Sequence, residues 1–316
     1  MKIVILDGLT ANPGDLEWVK LASLGELTIY DRTSPEDILA RSADAEIILT
    51  NKTPLTASTL RNLPYLKYVG VLATGYNVVD VKEAASLGIT VCNVPSYSTM
   101  SVAQNVFALL LDITNSVAHY TAEVKEGKWS KCEDFCYTDT PLIELDGKQI
   151  GIVGYGSIGR QVASIAMAFG MKVAVFSSKS QWEVAPAVKM SLDELFSTSD
   201  VVSLHCPLTE NTRHLVNADR LSKMKKSSVL INTGRGPLVD EEALADALNS
   251  GKIAAAGVDV LSQEPPEADN PLLSARNIRI TPHISWATKE ARTRLLDITV
   301  SNIRAFLSGK PVNVVS

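Results

Sequence analysis

Three side chains of complementary chemistry follow three apolar runs in the second half of this chain. Arg235 stands in Asn232-Thr233-Gly234-Arg235-Gly236-Pro237, Glu264 in Ser262-Gln263-Glu264-Pro265-Pro266, and His283 in Thr281-Pro282-His283-Ile284-Ser285-Trp286. A guanidinium suits a two-pronged grip on a carboxylate. A histidine beside a glutamate is held in one tautomer and kept partly protonated near neutral pH, which is what proton delivery to a carbonyl needs. The flanking glycines let the backbone turn sharply at Arg235, and the two prolines stiffen the loop of Glu264. Singly, each residue has an ordinary structural reading: a surface ion pair, a solvated loop residue, a satisfied strand-end histidine. Jointly, three such groups at three strand ends predict a reactive site, because open α/β sheets bind ligands there.

The elements that must position them begin at mid-chain. Ile150-Gly151-Ile152-Val153-Gly154-Tyr155-Gly156-Ser157-Ile158-Gly159-Arg160 is an apolar strand running through three glycines into a helical pattern. This is the dinucleotide fingerprint: Gly154 for a tight turn, Gly156 for close approach of a pyrophosphate, Gly159 for close helix–strand packing. The amides of Ser157 and Ile158 open the helix and would face the phosphates. Further strands are expected over 172–176, 201–204, 229–232, 254–258 and 277–281, with helices between them. These include 241–250, with Asp240 as its N-cap.

Coenzyme choice turns on the end of the second strand of this unit. NAD-selective folds place an Asp or Glu there, about twenty residues past the first glycine, to hold the ribose hydroxyls. Here the strand ends in Ser177-Ser178-Lys179-Ser180, and no Asp or Glu occurs from Arg160 to Trp182. Hydroxyls and a lysine welcome a 2′-phosphate. The reading is NAD(P), with NADP or dual use favoured over strict NAD. The alternative is that the serines bind NAD ribose and Lys179 is merely solvated.

The first hundred residues alternate strands (2–6, 27–30, 46–49, 68–73, 90–93) with helical stretches (35–42, 58–63, 81–87), which implies a parallel sheet. Gly88 reads as a helix C-cap. A long apolar helix is expected over 101–117, with Val102, Val106, Leu109, Leu110 and Ile113 at helical spacing. It is either buried within the chain or shared with a second subunit. A polar link and an Asp146-Gly147 turn lead to the fingerprint. The last helix, 289–307, is expected to return to the first domain.

The chain has 316 residues, a net charge of −5 and four cysteines. That length suits two domains, the charge argues against nucleic-acid or anionic-membrane partners, and no apolar run could cross a bilayer. The start is too soon acidic for a secretory signal, so the cytoplasm is the expected location. Cys132 and Cys136 have no second Cys or His pair nearby, so no metal is expected. Of the remaining histidines, His205 reads as shaping the adenine side of the cleft and His214 as a helix-region surface residue. His119 lies past the long helix.

In motif content and order (154–160, 232–240, 256–266, 281–286) the chain resembles the D-isomer-specific 2-hydroxyacid dehydrogenase family over essentially its whole length. The stretch Gly127-Lys128-Trp129-Ser130 through Asp134-Phe135-Cys136, followed by Pro141-Leu142-Ile143, is similar to the glycerate dehydrogenase (hydroxypyruvate reductase) branch, as are Val102-Ala103-Gln104 and Trp286. The resemblance implies an α/β fold of two doubly wound parallel-sheet domains. A Rossmann nucleotide domain (101–286) would be inserted into a flavodoxin-like substrate domain (1–100 plus 287–316), and closure of the two would exclude water.

It also implies roles. Arg235 would bind the substrate carboxylate and carbonyl, His283 would exchange the proton, and Glu264 would hold His283 and raise its pKa. Asp259 would contact the nicotinamide carboxamide, in a coenzyme site with Cys206, Pro207, Thr233 and Gly234. Asn51, Lys52, Thr74, Gly75 and Trp286 would line the substrate mouth. The expected reaction is reversible reduction of a small 2-oxo acid, hydroxypyruvate to D-glycerate first and glyoxylate second, by a homodimer. The rivals are a related enzyme acting on formate, lactate or phosphoglycerate, and a nucleotide-sensing relative without catalysis. The departure from the NAD-dependent pattern is Ser177, where Asp is usual. The lack of a long C-terminal extension argues against the regulated phosphoglycerate dehydrogenases.

Overall fold

A computed structural model describes residues 1–316. The chain divides into two compact units, Met1–Ser98 with Trp286–Ser316, and Thr99–Ser285. The sequence boundaries after 100 and 286 are therefore displaced slightly. Trp286 belongs with the first unit, where it packs edge-on against Tyr97 at 6.4 Å. No helix is long and apolar enough to cross a membrane.

The first unit is a five-stranded parallel sheet of β1 (Lys2–Ile5), β2 (Glu26–Ile29), β3 (Ile47–Thr50), β4 (Tyr68–Val71) and β5 (Thr90–Cys92), in the order β2-β1-β3-β4-β5. This is the flavodoxin-like winding, whose order reverses between β1 and β3. Every residue of β3 and β4 is buried, as expected of strands covered on both faces. One face carries the Lys289–Leu307 helix through Leu295, Leu296, Val300 and Ile303.

The second unit contains β6 (Gln149–Val153), β7 (Lys172–Phe176), β8 (Val188–Lys189), β9 (Val201–Leu204), β10 (Val229–Asn232), β11 (Ala255–Val258) and β12 (Ile278–Ile280). Their order, β12-β11-β10-β9-β6-β7-β8, is the Rossmann winding with one extra edge strand and a switch point between β6 and β9. Residues alternate between two cores: Val229 and Ile231 join one face, Leu230 the other. The two-residue β8 went unforeseen because it is too short to show a period.

The long apolar helix needs correction. It runs Thr99–Asn115, and a second helix, Val117–Lys125, follows at once. Ser116 adopts the left-handed conformation, φ +50°, and breaks the run. Asp112 holds the junction: its carbonyl accepts from the Ser116 amide, and its carboxylate accepts from the Ala118 amide while pairing with Arg279 at 2.6 Å. Apolar periodicity continues across this break, so the pattern alone does not reveal it.

Candidate active site

Strand order sets the loops of the three candidate residues side by side. β10, β11 and β12 are adjacent and parallel, so the segments leaving their C-terminal ends carry Arg235, Glu264 and His283 along one sheet edge. Neighbouring strands lie about 4.8 Å apart, so all three loops start within about 10 Å. Asn232 shapes the first loop. Its Oδ1 accepts from the Gly234 amide at 3.0 Å and its Nδ2 donates to the Arg235 carbonyl at 2.9 Å. Gly236 then presses against the second loop, where a Cβ would stand 2.0 Å from the Leu261 carbonyl carbon. Arg235 is exposed, and its guanidinium donates to the Gly234 carbonyl at 2.7 Å.

The carboxylate of Glu264 is fixed at both oxygens. Oε1 accepts from the Leu261 amide at 3.1 Å, and Oε2 meets His283 Nδ1 at 2.6 Å. That contact commits Nδ1 and leaves Nε2 as the histidine's free nitrogen. The His283 backbone sits at φ +54°, and its amide donates to the Asp259 carbonyl at 2.8 Å. Asp259 is buried, and its carboxylate accepts from Thr281 Oγ1 (2.5 Å) and from the amides of Ile284 and Ser285 (2.9 Å each). Three donors compensate this buried charge, and in return it clamps the loop that carries His283. Sequence reasoning missed this clamping role of Asp259 because the loop folds back onto it from a different strand.

Across the switch point, Gly154 stands at φ +97°, and a Cβ there would come within 2.7 Å of the His205–Cys206 backbone. A Cβ at Gly159 would meet the Gly154 carbonyl oxygen at 2.2 Å, so helix and turn touch directly. Gly156 differs: it precedes the Ser157–Ala168 helix with nothing within 4 Å of its Cβ position. The helix start thus opens on unfilled space at Gly156, where the unpaired first-turn amides of a helix can cradle an anion.

The chain is similar to known proteins. Residues 107–285 match the family model for the NAD binding domain of D-isomer specific 2-hydroxyacid dehydrogenases. A hydroxypyruvate reductase from Blautia hydrogenotrophica is 52% identical, with all of both chains covered. The chain belongs to the D-isomer specific 2-hydroxyacid dehydrogenases. A glycerate dehydrogenase from Methylorubrum extorquens is 44% identical over 90% of each chain. Among solved structures, an acyclic imino acid reductase in complex with NADPH and D-Arg superposes with a TM-score of 0.88 at 33% identity, covering 100% of both chains.

The second unit of this dehydrogenase is its NAD(P)-binding unit, and the residues present fit the dinucleotide. The open cradle at Gly156 is one sign. Another is Thr233 Oγ1, a buried hydroxyl at the end of β10 with no hydrogen-bond partner in the protein. Cys206 and Pro207 follow β9 beside Gly154, and burial pushes the Cys206 thiol up from its ordinary pKa. His205 donates its amide to the Val153 carbonyl, and its Nε2 lies 2.8 Å from Ser203 Oγ; burial pulls the imidazole down to about 4. After β7, Ser177 Oγ accepts from the Lys179 amide at 3.2 Å, while Ser178 is exposed.

A carboxylate just past Trp182 also reaches this loop. Glu183 folds back onto the Ser180 amide (2.8 Å) and hydroxyl (2.6 Å). Those two bonds, with Lys179 and Lys189 beyond them, hold its carboxyl below the ordinary range.

In the first unit, the Asp7 carboxylate accepts from the amides of Asn51, Lys52 and Thr53 at 2.8, 2.6 and 2.7 Å, fixing the loop after β3. Asn51 is buried, donates to the Leu72 carbonyl at 2.6 Å, and keeps Oδ1 unpartnered. Thr74 is exposed after β4; it donates to the Val94 carbonyl at 2.9 Å, and its own carbonyl accepts from Asn93 Nδ2 at 2.7 Å. Gly75 follows it in the same segment. His214 is corrected from a helix to a turn at φ +48°, where its amide bonds the Pro237 carbonyl. His119 joins an ion cluster with Asp139 (3.0 Å) and Glu123 (3.5 Å), and Lys128 bridges the two carboxylates.

Proposed function

We propose that this enzyme reduces hydroxypyruvate to D-glycerate, with glyoxylate as a second substrate and NADPH as the preferred coenzyme. The observation that carries the reading is the 2.6 Å pair of His283 and Glu264 on the same sheet edge as an Arg235 with no carboxylate partner. Arg235 binds the substrate carboxylate and polarises its carbonyl. His283 Nε2 gives the proton to the carbonyl oxygen, and Glu264 stabilises the imidazolium before transfer. Bound NAD(P)H supplies the hydride. Asp259 keeps His283 in place, and its Oδ2 has accepting capacity left for the carboxamide.

We assign Asn51, Lys52, Thr74, Gly75 and Trp286 to the substrate, and Gly154, Gly156, Ser157, Ile158, Ser177, Ser178, Lys179, Cys206, Pro207, Thr233 and Gly234 to the coenzyme. The names of the two relatives support hydroxypyruvate and glycerate as the substrate pair. Ser177 in place of an acid, and Lys179 beside it, support a 2′-phosphate. We further assign the enzyme to the cytoplasm as a homodimer.

The test is a panel of hydroxypyruvate, glyoxylate and pyruvate, each with NADH and NADPH. Hydroxypyruvate with NADPH should give the highest kcat/KM; no reduction of any of the three would end the proposal. His283→Ala should cut turnover by orders of magnitude with coenzyme affinity little changed, whereas Arg235→Ala should chiefly raise KM.

A further inference from the structure

The loop directly after β7 holds Lys179, and the fold brings a second cation to it. β8 pairs in parallel with the outer edge of β7, with Lys189 in register with Val175, two residues before Ser177. This register is fixed at both sides of Lys189: its amide donates to Gln181 Oε1 at 2.7 Å, and the Met190 amide donates to the Val175 carbonyl at 3.0 Å. The side chain therefore starts at the C-terminal edge of the sheet, where the ligand end lies. Its ammonium reaches the loop itself, donating to the Lys179 carbonyl at 2.6 Å.

An ammonium has three donors, and here one is spent on a neutral carbonyl. Lys189 is exposed and in no ion pair, and the nearest acid, Glu183, lies close enough to feel both it and Lys179 without a direct contact. The only acid of the loop, Glu183, already accepts twice from Ser180. Counting Lys179, Lys189 and Glu183, the loop carries a net positive charge without any ligand.

We propose that Lys189 is a specificity-determining residue, which reads the 2′-phosphate of NADPH together with Lys179 and Ser177. The inference rests on the NADP reading above and adds to it a residue from a different strand. Its physical content is that a 2′-phosphate adds about two negative charges to the adenosine end, and a lysine on an exposed edge attracts them as a point charge. NADH has only neutral hydroxyls at that position and gains nothing from the ammonium.

The experiment measures dissociation constants of the full-length protein by calorimetry for 2′,5′-ADP, 5′-AMP, NADPH and NADH, in the wild type, Lys189→Met and Lys189→Arg. Wild-type protein should bind 2′,5′-ADP and NADPH more tightly than their unphosphorylated counterparts. Lys189→Met should weaken both phosphorylated ligands about tenfold or more, the scale of one charge-assisted bond, and leave NADH unchanged. Lys189→Arg should keep most of the preference, and the difference should shrink in high salt. If the wild type shows no preference for 2′,5′-ADP over 5′-AMP, the NADP reading fails and the inference with it. If the wild type prefers 2′,5′-ADP and Lys189→Met keeps that preference, the inference alone is overturned. Equal weakening of NADH and NADPH also overturns it, since that marks Lys189 as a loop brace.

Discussion

Replacing Glu264 by Gln probes the proposed proton-handling pair with almost no change in volume. In the native site both carboxylate oxygens accept, one from His283 Nδ1 at 2.6 Å and one from the Leu261 amide at 3.1 Å. A glutamine has one acceptor and one NH2 donor in the same space. If its NH2 faces Leu261, two donors confront each other. If its NH2 faces His283, the ring must accept at Nδ1, which only the wrong neutral tautomer can do. A hydrogen bond with a charged partner is worth about 1.5–3 kcal/mol, against about 1 kcal/mol for a neutral one. The pair therefore loses roughly 0.5–2 kcal/mol at the moment the imidazolium is needed. At about 1.4 kcal/mol per tenfold, kcat for hydroxypyruvate reduction should fall about 2–30-fold, and further if the tautomer flips.

Steady-state NADPH oxidation gives this number, and NADPH fluorescence titration should show an unchanged Kd. The decisive arm is the double variant. Glu264 acts through His283, so Glu264→Gln added to His283→Ala should cost little more than His283→Ala alone. Turnover within twofold of wild type in the single variant, or fully multiplicative losses in the double, would refute the reasoning.

Other perturbations separate fold from function. Gly156→Ala should melt at the wild-type temperature yet lose NAD(P)H binding by calorimetry, because its Cβ enters open space where the phosphates would sit. Gly159→Ala should lower the melting temperature or prevent folding, since its Cβ would lie 2.2 Å from the Gly154 carbonyl oxygen. Near-identical melting and binding for the two variants would contradict this division of labour.

Stability should also depend on His205. Its folded pKa is depressed to about 4, so the unfolded chain binds the proton more readily. Stability is then complete above the unfolded value of about 6.5 and falls as pH drops towards 4, by up to about 3 kcal/mol. Urea unfolding of apo protein between pH 7 and 4.5 reads this slope, and His205→Gln should flatten it. An unchanged slope in that variant would assign the acid sensitivity elsewhere.

Much of this enzyme could be read from the sequence because the central strands of both sheets are buried on both faces and so appear as short apolar runs between turn residues. The β7, β9 and β10 ranges follow from that pattern to the residue. Gly154 and Gly159 announced a strand–turn–helix because backbone contacts that tolerate no side chain leave a mark in residue type, whereas Gly156 between them opens on unfilled space. Reading failed where the deciding contact is distant in sequence or too short to repeat. Ser116 breaks an apolar helix that periodicity would continue, and the two-residue β8 carries no pattern at all.

Residue types alone thus pointed to candidates for a carboxylate grip, a proton carrier and a phosphate cradle, each at the end of a strand. Only the tertiary structure put Glu264 against His283 and set the Arg235 loop on the same sheet edge. Residues 235, 264 and 283 belong to separate crossovers, and it is the hydrogen-bonded order of β10, β11 and β12 that sets their loops side by side. That order is a property of long-range strand pairing, which no local stretch of sequence encodes. The same pairing clamps the His283 loop through the buried Asp259 and brings Lys189 beside Lys179.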